Sequence, residues 1–326
     1  MGLGLLSDGK WISEREQEDD KGRFIRPSTT FRHQITADGS SGFKAESGRY
    51  HLYVCWACPW AHRTAIMRKL KGLEDAIDLS VVAPEIDQNG WEFSDEPGTI
   101  PDTVNHTNYL WEIYLKADPD YTGRVTVPVL WDKQNGTIVN NESREIIRMF
   151  DTQFDAIAQK DTNFYPEDLQ SKIDETIDAI YQPINNGVYR AGFATKQSAY
   201  EEAVTELFDA LDSWEKVLAD QRYLCGDSIT EADWCMFTTL LRFDAVYYVH
   251  FKCNLRRIVD YPNLWNYLKE LYQVPGVKET CNIDQIKRHY YKSHPNVNPT
   301  RIVPVGPIID FEAPHNRYRM GAAVTV

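Results

Sequence analysis

A strand pattern runs directly into a helix start in the sequence HLYVCWACPWAHR, residues 51–63. Over 51–56 apolar residues alternate with their neighbours, which is typical of a β-strand. Pro59 follows, and its fixed φ suits the first position of an α-helix. Apolar residues then recur at helical spacing up to Gly72, where a helix can end. The stretch therefore predicts a strand, a tight turn and a helix capped by Cys58.

The next elements extend this stretch into a small domain. Residues 77–83 carry a second strand pattern, so strand, helix and strand form a βαβ unit with parallel strands. A long aromatic and acidic segment, 87–123, interrupts the succession of strand and helix patterns. We expect it to be an insertion with a short helix. Three further elements are predicted after it: a strand over 125–131, its hairpin partner over 137–139 and a helix over 142–154.

The second half of the chain is helical. Apolar residues recur every three or four positions over 169–180 and 200–218, which predicts two amphipathic helices. Thr230-Glu231-Ala232-Asp233 matches a capping box and opens a third helix. Two shorter helices are expected over 263–272 and 283–291. The proline-rich tail from Lys292 is expected to be extended.

The order of elements resembles a thioredoxin fold followed by helices, as in the glutathione transferases. The predicted fold class is α/β plus all-α, with an N-terminal thioredoxin-like domain and a C-terminal all-helical glutathione transferase domain. The predicted limits are an N-terminal extension (1–48), a thioredoxin-like glutathione-binding domain (49–156, insertion about 87–123), an all-helical domain (165–291) and an extended tail (292–326). The polar extension is expected to have no core of its own, and a solvated arm is the alternative.

Composition restricts the classes of protein to which the chain can belong. Its 326 residues suit two domains, and 42% hydrophobic against 25% charged residues suits globular cores. The net charge of −13 argues against nucleic acid as a partner. The longest apolar run, 52–61, is far shorter than the roughly 20 residues of a membrane helix. No export signal is recognised, so we expect a cytoplasmic protein without a membrane partner.

The six cysteines are too sparse for a disulfide scaffold, and their spacing does not predict a metal site. Cys58 stands out because a helix N-terminus stabilises a thiolate and lowers the thiol pKa from about 8.5 toward 7 or below. We therefore expect it to be a nucleophile. The alternative is a small buried hydrophobic residue.

Cys55 and Cys58 form a CxxC pair, which raises the alternative of a catalytic dithiol. In dithiol oxidoreductases the nucleophile opens the helix and its partner lies three residues later. Ala61 occupies that position here, whereas Cys55 lies upstream. We therefore expect a monothiol centre that an external thiol resolves, with a Cys55–Cys58 disulfide left open.

Other residues suit a site for glutathione, the expected external thiol. The resemblance to the thioredoxin fold implies that Pro128 is cis and faces Cys58, so that the Val127 backbone can pair with an extended peptide. A simple strand-edge proline is the alternative. Glu142 and Ser143 open the next helix, where they suit the ammonium and carboxylate of a γ-glutamyl group, although plain helix capping also explains them. Arg124 can pair with the glycine carboxylate.

Trp91, in the insertion, can cover the bound peptide or simply belong to the core. Together these residues predict a site for glutathione as co-substrate, without a metal.

The chain resembles the glutathionyl-hydroquinone reductases, the Xi class of the glutathione transferases, over nearly its full length. The resemblance rests on segments shared along the whole chain, namely ACPWAHR (57–63), GRVTVPVL (123–130), NES (141–143), NNGVY (185–189), RFD (242–244), HFKC (250–253), IKRHYY (286–291) and NPT (298–300). Cys55 departs from the small residue expected in this family.

The resemblance implies an enzyme that reduces glutathionyl-hydroquinones through a Cys58–glutathione mixed disulfide. It implies Trp91, Arg124, Val127, Glu142 and Ser143 as glutathione contacts. It also implies Tyr189 and Tyr290 as residues of the aromatic site, and a cytosolic homodimer. An aromatic helix with Phe243, Tyr247 and Tyr248 is expected to expose a patch for that dimer. The alternatives are an Omega-like thioltransferase or dehydroascorbate reductase and a non-catalytic ligand carrier.

Overall fold

The computed structural model describes residues 4–13 and 18–321. The parts of the predicted extension and tail that fall on 1–3, 14–17 and 322–326 lie outside these described residues. The chain divides into two compact units, which are described one at a time. The first comprises Met1–Glu16, Arg26–Thr162 and Asp284–Ile302, and the second comprises Gln17–Ile25, Asn163–Ile283 and Val303–Val326.

The described elements include those that the sequence predicted, in the predicted order, together with several short ones that it did not. The strands are β1 (Leu5–Ser7), β2 (Lys10–Ile12), β3 (Tyr50–Val54), β4 (Ile77–Val81), β5 (Gly123–Arg124), β6 (Val129–Asp132) and β7 (Thr137–Asn140). The helices are α1 (Pro59–Leu70), α2 (Leu110–Ala117), α3 (Ser143–Thr152), α4 (Gln170–Ile180), α5 (Gly187–Gly192), α6 (Gln197–Asp220), α7 (Glu231–Arg242), α8 (Tyr248–His250), α9 (Pro262–Tyr272) and α10 (Ile283–Ser293).

The first unit is built on a four-stranded mixed sheet in the order β4-β3-β6-β7. β3 pairs with β4 in parallel, as the βαβ pattern predicted, and with β6 in antiparallel orientation. Every residue of β3 is buried, because the strand is central in the sheet. α1 and α3 pack against each other, which brings two helix N-termini into the same unit.

One predicted strand is shorter than expected. The sequence predicted a strand over 125–131, whereas β6 begins only at Val129. The intervening Val127–Pro128 peptide bond is cis, and Pro128 has no N–H to donate to a ladder. The residues directly before Val129 therefore form a loop at the start of β6 instead of continuing the strand.

The N-terminal extension contributes to the first unit. β1 pairs with β2 and with β5, forming a small antiparallel sheet that the sequence did not predict. Leu6 and Ile35 are buried, so the extension joins the core and is not a solvated arm. Its strands are only three residues long and were too short to show a period.

The second unit is helical, as predicted. α7 begins at the predicted capping box, where the Thr230 N–H donates to the Asp233 carboxylate at 2.7 Å. Each of α4 and α7 continues into a π-helical turn, Tyr181–Asn185 and Phe243–Tyr247, respectively. The division into compact units places α10 in the first unit. The domain limits predicted from the sequence place it in the helical domain, and those limits stay a prediction.

The aromatic patch expected on the second unit is wrong for two of its three rings, Phe243 and Tyr247, whereas Tyr248 is partly exposed. Phe243 and Tyr247 are fully buried, because they belong to the π-helical turn at the centre of an aromatic cluster. The ring of Tyr247 stacks on Phe251 with centroids 5.6 Å apart. These rings therefore fill the core and do not form a surface.

Beyond α10 the tail is extended, as predicted, until a short 3-10 turn at Arg317–Met320. The buried Arg317 guanidinium donates to the backbone oxygens of Leu218, Gln221 and Arg222, at the C-terminal end of α6. A cation suits this end of a helix, because the last carbonyls have no partner in the next turn. No described helix is long and apolar enough to cross a membrane.

Candidate active site

Cys58 is the N-cap of α1, where the sequence predicted it. Its φ of −76° and ψ of 122° are extended, and Pro59 is the first helical residue. The first N–H groups of a helix have no partner in a preceding turn, and the helix dipole is positive at this end. Both features favour a thiolate over a thiol. Cys58 is also partly exposed, as attack on a substrate requires.

The cis peptide bond predicted opposite Cys58 is present between Val127 and Pro128. The Sγ atom of Cys58 lies 3.6 Å from the carbonyl oxygen of Val127, within hydrogen-bonding distance for sulfur. The Val127 side chain is buried. The structure therefore brings the predicted nucleophile into contact with the first predicted glutathione residue.

Cys55 has a different environment from Cys58. It is fully buried, and its Sγ atom lies 3.9 Å from the carbonyl oxygen of Ala83. Neither cysteine forms a disulfide in the structure. Burial raises the pKa of Cys225 and of Cys253, which makes these two thiols poor nucleophiles. Among the cysteines, partial exposure and a helix N-terminus coincide at Cys58.

Glu142 and Ser143 form the start of α3. Glu142 is the N-cap, and its Oε1 accepts the Arg144 N–H at 3.4 Å. Its second oxygen accepts the Thr29 hydroxyl at 3.2 Å. Helix capping is therefore real, as the alternative proposed. Glu142 is nevertheless only half-buried, which leaves its carboxylate open to a further partner.

Arg63 connects the starts of α1 and α3, a role that sequence reasoning missed. Its Nη1 lies 3.4 Å from the Ser143 hydroxyl oxygen, to which it donates. The Arg63 guanidinium also lies 4.6 Å from the centroid of the Trp60 ring, and that of Arg26 lies 4.9 Å from the same centroid. Two cations thus contact the Trp60 ring in the first turn of α1, and they add to the positive potential at the start of this helix.

Arg124 lies in β5, three residues before Val127. Its backbone is fixed by pairing with Leu5 and by the Tyr121 hydroxyl, which donates to the Arg124 carbonyl oxygen at 3.2 Å. The residue is half-buried. Arg124 therefore starts from a fixed backbone position a few residues before the cis-proline loop.

Trp91 and Tyr290 are linked through His289. The Trp91 and His289 rings are stacked at 16°, with centroids 5.2 Å apart. His289 Nδ1 lies 2.7 Å from the Pro84 carbonyl oxygen, and its ring meets the Tyr290 ring edge-on at 4.9 Å. The stack links the insertion to α10, although Trp91 and His289 are far apart in sequence. Position along the chain alone could not reveal it.

The indole nitrogen of Trp91 is a buried donor without a hydrogen-bond partner among the described residues. Trp91 is only 3% exposed, so bulk water does not satisfy this N–H. An unsatisfied buried donor is costly and calls for an explanation. An acceptor on a bound ligand would supply its partner.

Tyr189 belongs to the second unit, on α5, and is nearly buried. Its ring lies 5.5 Å from Phe251 and 6.0 Å from Tyr247. The described residues contain no group of three or more His, Cys, Asp or Glu side chains that could hold a metal ion.

Two family models match the chain. "Glutathione S-transferase, N-terminal domain" matches residues 57–153, and "Glutathione S-transferase, C-terminal domain" matches residues 197–270. The first match begins one residue before Cys58 and ends after α3, so it contains most of the site described above. The second match covers α6, α7 and most of α9.

Curated relatives match over almost their full length. The chain is 53% identical to glutathionyl-hydroquinone reductase YqjG of Escherichia coli K12, covering 97% of this chain and 98% of the relative. It is 50% identical to glutathionyl-hydroquinone reductase PcpF of Sphingobium chlorophenolicum, covering 94% and 96%.

Solved structures agree with this assignment. A Xi class glutathione transferase from Natrialba magadii superposes with a TM-score of 0.93 at 56% identity, covering 97% of both chains. The glutathione-bound structure of YqjG from E. coli gives a TM-score of 0.89 at 52% identity, covering 96% of this chain and 99% of that one. The chain therefore belongs to the glutathionyl-hydroquinone reductases, the Xi class of the glutathione transferase family.

Proposed function

We propose that the protein reduces glutathionyl-hydroquinones to hydroquinones with glutathione as co-substrate. The single observation that carries the proposal is Cys58 at the N-terminus of α1, partly exposed and 3.6 Å from the carbonyl oxygen of the cis-proline loop. The relatives named glutathionyl-hydroquinone reductase support the choice of substrate.

In the first step the Cys58 thiolate attacks the glutathione sulfur of the substrate. An S–S bond forms and the bond from sulfur to the ring carbon breaks. The ring carbon keeps the electron pair and takes up one proton, so the ring is reduced to the hydroquinone while the two sulfurs are oxidised to a mixed disulfide.

In the second step a glutathione thiolate attacks the glutathione sulfur of the mixed disulfide. Oxidised glutathione leaves and the Cys58 thiolate is restored. The sum is one glutathionyl-hydroquinone plus one glutathione giving one hydroquinone plus one oxidised glutathione. A single protein thiol is sufficient for this cycle, which agrees with the burial of Cys55.

The glutathione moiety binds along the edge of the first unit in this proposal. The Val127 backbone pairs with the cysteinyl part of the tripeptide, as an added strand. Glu142 binds the γ-glutamyl ammonium group, and Ser143 with the N-terminus of α3 binds the adjacent carboxylate. Arg124 pairs with the glycine carboxylate. Trp91 covers the peptide, and its unsatisfied indole N–H donates to a ligand oxygen.

Tyr189 and Tyr290 contact the hydroquinone ring in this proposal. A tyrosine hydroxyl can give a proton to the carbon that leaves sulfur, or hold a ring oxygen. Tyr290 lies in the same unit as Cys58, next to the stack of Trp91 on His289. We further place the enzyme in the cytoplasm, because the cycle consumes reduced glutathione and belongs in a reducing compartment. We also propose a homodimer, on the resemblance to the family.

A rate comparison tests the proposal. We expect the purified protein, supplied with glutathione, to turn over a glutathionyl-hydroquinone at least about tenfold more efficiently than dehydroascorbate, measured as kcat/KM. A preference for dehydroascorbate would assign an Omega-like reductase instead. Binding of glutathione without turnover of either substrate would assign a ligand carrier.

A further inference from the structure

The hydroxyl group of Tyr114, on α2, is bonded to two segments of the first unit. It donates to the Thr126 carbonyl oxygen at 2.8 Å and accepts the Thr126 N–H at 3.2 Å. It also accepts the Asn141 side-chain N–H at 3.2 Å. A tyrosine hydroxyl has one donor and two acceptor positions, so its bonding capacity is fully used.

The position of this hydroxyl is fixed by packing. Tyr114 is fully buried, with its ring edge-on to Phe31 at 5.8 Å and tilted against Tyr121 at 5.1 Å. Burial raises the pKa of Tyr114, so the hydroxyl keeps its proton at neutral pH and remains a donor.

The two segments that Tyr114 joins are the two halves of the proposed glutathione site. Thr126 directly precedes Val127, whose carbonyl oxygen contacts Cys58. Asn141 directly precedes Glu142 and Ser143 at the start of α3. A tyrosine that only fills the core needs one acceptor for its hydroxyl, whereas both polar backbone groups of Thr126 bond to this one.

We propose that Tyr114 is a positioning residue for glutathione binding, setting the distance between the cis-proline loop and the N-terminus of α3. The inference rests on the proposed function, since it concerns the same site. Tyr114 does not touch the thiol. Its loss should therefore weaken the binding of the tripeptide equally before and during the reaction, which raises KM and leaves kcat almost unchanged.

The test is Tyr114→Phe, which keeps the ring and leaves the polar groups of Thr126 and Asn141 without this partner. We expect the Kd of glutathione by calorimetry and its KM to rise about tenfold, equivalent to about 1.4 kcal/mol. At saturating glutathione we expect kcat to stay within about twofold.

Tyr50→Phe is the matched control, because Tyr50 is also fully buried and its hydroxyl donates only to the Lys44 carbonyl oxygen, at 2.6 Å. A similar loss of thermal stability without a change in Kd is expected for it. If both variants lose stability alike and both keep the Kd of wild type, Tyr114 is an ordinary core residue and the inference is overturned.

Failure of the proposed function would show in the wild-type protein, before any variant is compared with it. Wild-type protein that binds no glutathione would overturn both proposals, whereas wild-type binding with an unchanged Kd in Tyr114→Phe overturns only this one. If Tyr114→Phe does not fold, Asn141→Ala serves instead, since it removes one of the three bonds. A rise of about threefold in the Kd of glutathione supports the inference, and an unchanged Kd overturns it.

Discussion

Cys55 and Cys58 are three residues apart and have different surroundings. The Cys58 N–H donates to the Cys55 carbonyl oxygen at 3.1 Å, so a tight turn joins them. The turn leaves Cys55 in the core and presents Cys58 at the helix start, partly exposed. Both side chains are thiols, so the difference in reactivity expected between Cys55 and Cys58 follows from their positions on the backbone.

This contrast predicts opposite outcomes for the two serine substitutions. Cys58→Ser should lower turnover of a glutathionyl-hydroquinone by more than about a hundredfold, because a serine hydroxyl is not ionised at neutral pH. Cys55→Ser should keep most of the activity, and a buried hydroxyl can still donate to Ala83. Mass spectrometry after reaction with a glutathionyl-hydroquinone in the absence of free glutathione should find glutathione on Cys58. An obligatory Cys55–Cys58 disulfide would contradict the single-thiol cycle.

Tyr189→Phe and Tyr290→Phe test the source of the proton. Each substitution removes one hydroxyl and keeps the aromatic ring. If that hydroxyl protonates the leaving carbon, the first thiol exchange should slow by about 10²- to 10⁴-fold. The second exchange needs no carbon protonation and should hardly change, so activity toward a simple disulfide should survive. Stopped-flow measurement separates the two steps, and equal slowing of both would exclude the proton-donor role.

His51 makes the stability of the protein sensitive to acid. Burial lowers the pKa of His51 to about 4 from its ordinary value of 6.5. Below pH 6.5 the unfolded chain therefore binds a proton that the folded chain does not. The free energy of unfolding should fall as pH drops from about 6.5 to about 4, by up to about 3 kcal/mol.

His51→Gln provides the comparison for this pH effect, because glutamine does not titrate and can still bond to Ser80, the partner of His51 at 2.8 Å. Denaturant unfolding at a series of pH values gives the free energy of unfolding of wild type and variant. Below pH 6.5 this free energy should fall more steeply in wild type than in the variant. Parallel profiles at all pH values would contradict the assignment.

At the scale of elements, the site is formed where helices begin. The N-termini of α1 and α3 carry Cys58, Glu142 and Ser143, and the positive ends of both helices suit the anionic groups of the proposed ligand. α7 uses its N-terminus differently. Its Asp233 side chain accepts from Leu224 N–H at 2.9 Å and from the Tyr267 hydroxyl at 2.8 Å, besides Thr230.

Asp233→Ala should therefore destabilise the second unit without touching the thiol chemistry. It leaves several buried donors without a partner, which should lower the free energy of unfolding by at least about 3 kcal/mol. Asp209→Ala, at an exposed position on α6, is the matched control and should change it by less than about 0.5 kcal/mol. Chemical denaturation measures both, and equal effects would mean that the capping box is not a main source of stability.

At the scale of the whole molecule, the proposed homodimer is open to direct measurement. We expect light scattering to give about twice the chain mass of 37.7 kDa at all micromolar concentrations tested. Two of the three rings expected to form the interface, Phe243 and Tyr247, are buried, so the expectation of a dimer rests on the family. A mass equal to one chain throughout that range would contradict the dimer.

Local chemistry determined much of this protein from its sequence. Pro59 and the alternation before it place Cys58 at a helix start, and Thr230 with Asp233 places the start of α7, because caps and periodicity involve residues only a few positions apart. The long helix α6 was predicted for the same reason. The cis-proline and the residues around it came from the resemblance to a known fold.

Only the tertiary structure decided which distant side chains meet. Tyr114 bonds to Thr126 and Asn141, which lie 12 and 27 positions away, and His289 bonds to Pro84 across 205 positions. The burial of Phe243 also depends on neighbours from other helices. A local pattern shows which face of an element is apolar, but the partner of a polar group depends on how the whole unit packs. The sequence therefore determined the position of the thiol, and the packing of the first unit decided what surrounds it.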